Sequence, residues 1–211
     1  IIELTDEINH LIYQSVFFFN MLEVIFVLTL FANQIETNEL KLTKQATTDA
    51  LTGIANRHYF FEQGNALLSN ANHNDRPFSF ILLDFDNFKR INDQYGHFIG
   101  DLCLIEITKT IQKHCRDQDI FSRIGGEEFV IALPDTTLQE SNNIAETIRL
   151  AISKQQIPIE GQGSITCTAS FGITSRTNEN ELIKNLVMQA DKALYSAKNQ
   201  GRNRVQIFTH G

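Results

Sequence analysis

The chain is 211 residues long, 42% apolar, and carries 18 basic against 25 acidic side chains for a formal charge of −7. That length and apolar content suit one core-forming domain plus an appendage, and an acidic balance without a basic block excludes a nucleic-acid surface. The cysteines, Cys103, Cys115 and Cys167, are odd in number and have no C-x-x-C spacing, which argues against a disulfide framework or a zinc site and for a reducing compartment.

Residues 1–45 differ in character from the rest of the chain. The chain opens on Ile1 rather than Met, as a fragment of a longer protein does, and no signal peptide is read into it. From Ser15 to Ala32, fourteen of eighteen residues are apolar, including Phe17-Phe18-Phe19 and Val24-Ile25-Phe26-Val27-Leu28. A helix of that length approaches a membrane span. Asn20 and Glu23 sit near its middle, where a Glu costs several kcal/mol in lipid. Glu3, Asp6 and Glu7 precede the run, and Lys41 and Lys44 come after it. That asymmetry turns the C-terminal end of a span toward the cytoplasm. Two readings stand side by side: a membrane span over residues 15–32, or a signalling helix that pairs with its copy in a homodimer.

Residues 46–211 read as one α/β domain. A helix begins after Asn56 and runs through Phe60, Phe61 and Leu67, and the continuous apolar run Phe78–Leu83 is a buried strand. Leu104, Ile107 and Ile111 recur at helical spacing. Ile120–Arg123 and Glu128–Leu133 flank Gly125-Gly126 as a hairpin does. Ile144, Ile148 and Ala151 mark another helix. Ile165, Cys167, Ala169, Phe171 and Ile173 alternate, which predicts a strand with one wet face. Asn178 with Glu181 resembles a capping box for a helix carrying Leu182, Leu186, Ala190, Leu194 and Ala197, closed by Gly201. Val205–Phe208 is a last strand. Interleaved helices and strands with a hairpin in mid-sheet predict an α+β fold, a central mixed or antiparallel sheet flanked by helices.

The densest chemistry lies in Arg123-Ile124-Gly125-Gly126-Glu127-Glu128-Phe129. Two glycines allow a tight turn and close approach to a ligand, and carboxylates come directly after them. Asp84 ends the earlier apolar run. Two strands that each bring a carboxylate to one sheet edge are a plausible divalent-metal site. Asp84 and Asp86 also fit the start of a calcium loop, but Phe88 and Lys89 then occupy positions that need a ligand and a glycine, so that pattern fails.

Several further motifs occur in order. They are Asp49-Ala50-Leu51-Thr52-Gly53-Ile54-Ala55-Asn56-Arg57, Asp84-Phe85-Asp86-Asn87-Phe88-Lys89-Arg90-Ile91-Asn92-Asp93, Tyr95-Gly96-His97-Phe98-Ile99-Gly100-Asp101, Ala190-Asp191-Lys192-Ala193-Leu194-Tyr195 and Lys198-Asn199-Gln200-Gly201-Arg202-Asn203. With the Gly-Gly-Glu-Glu-Phe turn, the stretch from Asp49 to Val205 resembles the GGDEF domain of the diguanylate cyclase family. The resemblance implies a sheet like that of nucleotidyl cyclases and polymerase palm domains. It implies condensation of two GTP into cyclic di-GMP with release of pyrophosphate, by two domains that face each other with one GTP each. It also implies a cytoplasmic domain, tethered to a bacterial inner membrane if residues 15–32 are a span.

By that resemblance, Asp84, the backbone carbonyl of Phe85 and Glu127 hold Mg²⁺, or Mn²⁺ in its place. Glu127 also accepts a proton, and Glu128 is a secondary metal or nucleotide contact that a strand would point the other way. Lys89 offsets charge in the transition state, and Lys198 and Arg202 hold phosphates. Asn92 and Asp101 are the guanine contacts, and His97 lines the pocket. On spacing alone, Asn92 sits in a turn and Asp101 caps a helix. Arg116 and Asp119 form Arg-x-x-Asp, an ordinary i,i+3 ion pair by itself. The resemblance makes it an inhibitory site for the product. Rival readings are a module that binds GTP or cyclic di-GMP without synthesis, and a cyclase for another base.

Overall fold

A computed structural model describes residues 2–161 and 163–209. The chain divides into two units between Gln45 and Ala46. The first lies within α1, the helix Ile2–Thr47. From Gln14 onward α1 is long and apolar enough to cross a membrane, and its described large apolar side chains, such as Phe17, Phe26 and Phe31, are exposed.

In the second unit, Asn56 caps α2 (Arg57–His73) by accepting from the Tyr59 N–H. The other elements are β1 (Ala55–Asn56), β2 (Phe78–Phe85), α3 (Phe88–Tyr95), α4 (His97–Gln112), β3 (Ile120–Arg123), β4 (Glu128–Pro134), α5 (Leu138–Lys154), β5 (Ile157–Ile159), β6 (Gly163–Ile165), β7 (Ala169–Ser175), α6 (Ile183–Asn199) and β8 (Val205–Ile207). Six strands form a mixed sheet in the order β1-β3-β4-β2-β7-β8, and β5 pairs with β6 apart from it. The β1–β3 and β7–β8 pairs are parallel; the rest of the large sheet is antiparallel.

Strand parity sorts the core into two layers. Ile81, Leu83, Phe129, Ile131 and Phe171 pack with Leu104 and Ile107 of α4 and Ile148 of α5. Phe78, Phe80, Leu82, Val130 and Ala132 pack with Phe60 and Leu68 of α2 and Leu186 and Leu194 of α6. Each such fully buried Phe or Leu contributes about 1.5–3 kcal/mol relative to exposure. Helices on both faces explain why β2 reads as an apolar run from Phe78 to Leu83 broken only by the small, buried Ser79.

The structure corrects several expectations. β7 has no wet face: Ser170, Gly172 and Thr174, the small and polar set, are buried. A Cβ on Gly172 would lie 2.0 Å from Ala190 O and 2.4 Å from Leu194 N, so the α6 backbone rests directly on the strand. Asn178 and Glu181 do not cap α6, whose N-cap Leu182 makes no side-chain cap. The buried Glu181 carboxylate instead accepts from Asn178, Asn185 and Thr177 and pins the preceding loop. Asn92–Tyr95 is the last turn of α3, not an irregular turn, and β1 and the β5–β6 pair were too short to announce themselves.

Candidate active site

The β3–β4 hairpin closes through Ile124 N–H to Glu128 O at 3.0 Å. Neither Gly125 nor Gly126 has a positive φ. A Cβ on Gly125 would lie 2.6 Å from Glu128 Oε2 and would displace that carboxylate tip, so the glycine leaves room for the Glu128 side chain as it stands. The Phe85 N–H donates to the Glu127 carbonyl at 3.3 Å, which fixes the turn against the end of β2. The register places Asp84 opposite Glu128, with Glu127 in the turn just before β4.

Asp84 is 5% exposed. Burial pushes its carboxyl up to about 6; the Lys198 ammonium works against that rise, and the charges of Glu127 and Glu128 add to it. Lys198 Nζ sits 2.8 Å from Asp84 Oδ1 as an ion pair, outside hydrogen-bond geometry. The structure thus gathers Asp84, Glu127, Glu128 and Lys198. Among the described residues no three His, Cys, Asp or Glu side chains form a closed metal cage. An open pair of hard oxygen ligands suits Mg²⁺, which keeps positions for water and phosphate.

The expected guanine contacts lie where α3 meets α4. Gly96, with φ +83, joins the two helices. Asn92 Oδ1 is buried without a partner among the described residues, and a Cβ on Gly100 would lie 1.9 Å from it. A buried acceptor left unpaired is costly, and it suits a ligand that donates there. Asp101 is exposed inside α4 and does not cap it; His97 is exposed at the start of the same helix. Lys89 is exposed in the first turn of α3, and Arg202 is exposed just past α6.

Residues 46–204 match the family model described as "Diguanylate cyclase, GGDEF domain". The chain belongs to the GGDEF diguanylate cyclase family. Diguanylate cyclase A of Treponema denticola is 36% identical over 176 residues, covering 82% of this chain and 47% of the relative. Diguanylate cyclase DgcM of Escherichia coli K12 is 41% identical over 171 residues, covering 79% of this chain and 40% of the relative. The chain thus spans about half, or less, of the length of these relatives. The coiled coil and GGDEF domain of DgcB from Caulobacter crescentus, solved with c-di-GMP, superposes with TM-score 0.80 at 27% identity, covering 85% of this chain and 94% of that one. The active GGEEF domain of a diguanylate cyclase from Vibrio cholerae gives 0.69 at 34% identity, covering 74% and 98%.

In this GGDEF domain the Arg-x-x-Asp pair stands apart from the carboxylates. Arg116 Nη2 donates to Asp119 Oδ1 at 2.7 Å, Thr136 Oγ1 at 2.7 Å and Pro134 O at 3.2 Å. Pro134 pairs with Phe78, at the other end of β2 from Asp84, about 20 Å away along the strands. The ion pair seen here is the local i,i+3 contact that the spacing alone predicts.

Sequence reasoning left two residues without a role. Arg123 donates through Nη1 to Asp49 Oδ1 at 2.9 Å and through Nη2 to the Gly126 carbonyl at 2.7 Å, so one guanidinium ties the start of the domain to the glycine turn. Burial opposes ionisation of Asp49, yet bonds from Thr52 and Arg123 outweigh it and hold the carboxyl below its usual value. That stabilisation is present above about pH 4 and is lost as pH falls through the depressed pKa. Asp86, 5% exposed, is the other; its short bonds to distant chain gave no local signal.

Proposed function

We propose that this chain is a diguanylate cyclase that joins two GTP into cyclic di-GMP and releases two pyrophosphates. The observation that carries the proposal is the buried Asp84 carboxylate, crowded by Glu127 and Glu128 and half-balanced by Lys198. Such a cluster calls for a cation, and Asp84, the Phe85 carbonyl and Glu127 would hold Mg²⁺ or Mn²⁺ there. The bound metal would polarise the α-phosphate and offset charge on the leaving pyrophosphate.

The remaining work falls to the chain. Asn92 and Asp101 orient guanine, with His97 beside them. Lys198, drawn off Asp84 by the incoming phosphates, pairs with them together with Arg202, while Lys89 offsets the developing charge. Glu127 takes the proton of the 3′-hydroxyl. That oxygen bonds to the α-phosphorus of the GTP in a facing domain, and the bond to pyrophosphate breaks. The same exchange in the other direction closes the ring, so activity requires a dimer.

The test is the full chain with GTP and Mg²⁺ at concentrations that favour dimers. Cyclic di-GMP with two pyrophosphates per product supports the proposal. Binding of GTP or cyclic di-GMP without turnover assigns a receptor instead, and turnover of ATP assigns another base. Replacing Gly100 with Ala drives a Cβ into Asn92 Oδ1, a movable side-chain tip, so the fold survives while the guanine contact shifts. We expect the KM for GTP to rise about tenfold or more, the cost of one lost buried hydrogen bond.

Arg116 and Asp119 are proposed to bind product and restrain the domains. Arg stacks on guanine and binds phosphate through its planar fork. Arg116→Ala should raise the product concentration needed for half-inhibition about tenfold or more, the value of a charged hydrogen bond. Unchanged inhibition removes the regulatory role. For α1 we propose a membrane anchor for a cytoplasmic domain and a contact between copies, on its length, its exposed apolar surface and the lysines near its C-terminal end. Retention in membranes after an alkaline wash tests the anchor, and loss of all the protein to the supernatant rejects it.

A further inference from the structure

Past α6 the chain makes an unusual turn. Gly201, Arg202 and Asn203 have φ of +114, +64 and +44, so three consecutive residues are left-handed and two of them carry a Cβ. Such a run persists only where its surroundings hold it. Two buried or half-buried groups do so. Asp86 Oδ2 accepts from the Asn203 N–H at 3.0 Å. Arg149 Nη1 donates to Asn203 Oδ1 at 2.9 Å and to Asn203 O at 3.3 Å. The Asp86 carboxylate is itself fixed by Ser170 Oγ and Thr168 Oγ1, each at 2.7 Å, and its N–H donates to Thr168 O at 2.8 Å. Arg149 is steadied by Glu146 at 2.8 Å.

The guanidinium of Arg202, by contrast, has no partner among the described residues. The backbone of the turn sets where that side chain leaves the main chain. Asp86 comes directly after Asp84 and Phe85, so the segment that bears the expected metal ligands also grips the turn that bears an expected phosphate contact.

We infer that Asp86 and Arg149 are positioning residues, which clamp the left-handed turn so that Arg202 is aimed at the triphosphate held over Asp84. The inference rests on the assignment of Arg202 to phosphate binding. It makes the spacing between metal ligands and phosphate cation a property of one buried carboxylate. The closing bonds of α6 tie its Lys198 end to the near side of the same turn, through Arg202 N–H to Ala197 O at 3.1 Å and Gln200 N–H to Ser196 O at 3.0 Å, while Asp86 and Arg149 grip the far side at Asn203.

A double-mutant cycle on the full chain tests it, with the affinity for 3′-deoxy-GTP and Mg²⁺ as readout, because that nucleotide binds without reacting. Arg202→Ala should weaken binding at least tenfold. Asp86→Asn should weaken it about as much, yet add less than twofold in the Arg202→Ala background. Arg149→Gln, cycled in the same way, serves if Asp86→Asn does not fold. Asn203→Gly adds a readout that a structural role would not give: it relieves the positive φ and keeps or raises Tm, while loosening the turn and weakening nucleotide binding severalfold. Additive losses in both cycles would show that the clamp does not act through Arg202. Unchanged binding in Arg202→Ala would instead remove the phosphate role, and the inference with it, while leaving the turnover test of the cyclase untouched.

Discussion

Glu127→Gln should lower cyclic di-GMP formation by at least about 10³-fold while leaving the domain folded. The substitution keeps the shape of the side chain and removes what we propose to be a charged oxygen ligand and the proton acceptor. A Lewis-acid metal supplies several kcal/mol of transition-state stabilisation, and each 1.36 kcal/mol is tenfold in rate. The fold should not suffer. Glu127 lies in a turn, is only half-buried, and its charge helps push the Asp84 carboxyl up. Losing it relieves repulsion when metal and nucleotide are left out of the melt, so Tm should hold or rise slightly there. Retained turnover in this variant would end the assignment of Glu127, and a collapsed Tm would show that its role is structural.

Gly172→Ala should cost about 3 kcal/mol or more, at the upper end of what overpacking a core costs. In a domain of this size that is a fall of roughly 10 °C in Tm. The reason lies in what the new methyl would meet. Ala190 O and Leu194 N are backbone atoms of α6, at 2.0 and 2.4 Å, and neither can swing aside as a side-chain tip can. The helix must lift from the sheet. Gly64 makes the contrast. A Cβ there finds its nearest atom, Phe60 Cε2, at 3.5 Å, an ordinary contact. Gly64→Ala should therefore stabilise α2 by up to about 1 kcal/mol, the helix-propensity difference. Urea melts of the two variants should move in opposite directions; a Tm for Gly172→Ala equal to that of the parent would refute the direct docking of α6 on β7.

The parts of this architecture that were legible in the sequence were those with a strong local period. The apolar run of β2 announced a strand covered on both sides, and Gly125-Gly126 between two apolar stretches announced the hairpin. What failed did so for a physical reason. Ser170, Gly172 and Thr174 look like a solvated face, because a strand that receives a helix backbone at close range needs small side chains, and small polar residues carry the same pattern as wet ones. Glu181 three residues after Asn178 matches a helix start, but the carboxylate is consumed by the loop. In the candidate site, Asp84 was read from the end of an apolar run and Glu127 from its place directly after the two glycines. The pairing of Lys198 with Asp84 and the reach of Asp86 to Asn203 join chain segments more than a hundred residues apart, which only the folded register reveals.

The fork of Arg123 has a bearing on how such a domain is reused. One side chain rivets Asp49, two residues past α1, to the carbonyl at the tip of the glycine turn. The sheet edge that carries the candidate site is therefore braced from inside residues 46–211, by a strut that travels with the domain whatever is spliced upstream. A different helix grafted before residue 46 would inherit a turn already set in place, provided Asp49 and Arg123 come along. The pair is the natural suture line for building chimaeric sensors on this scaffold.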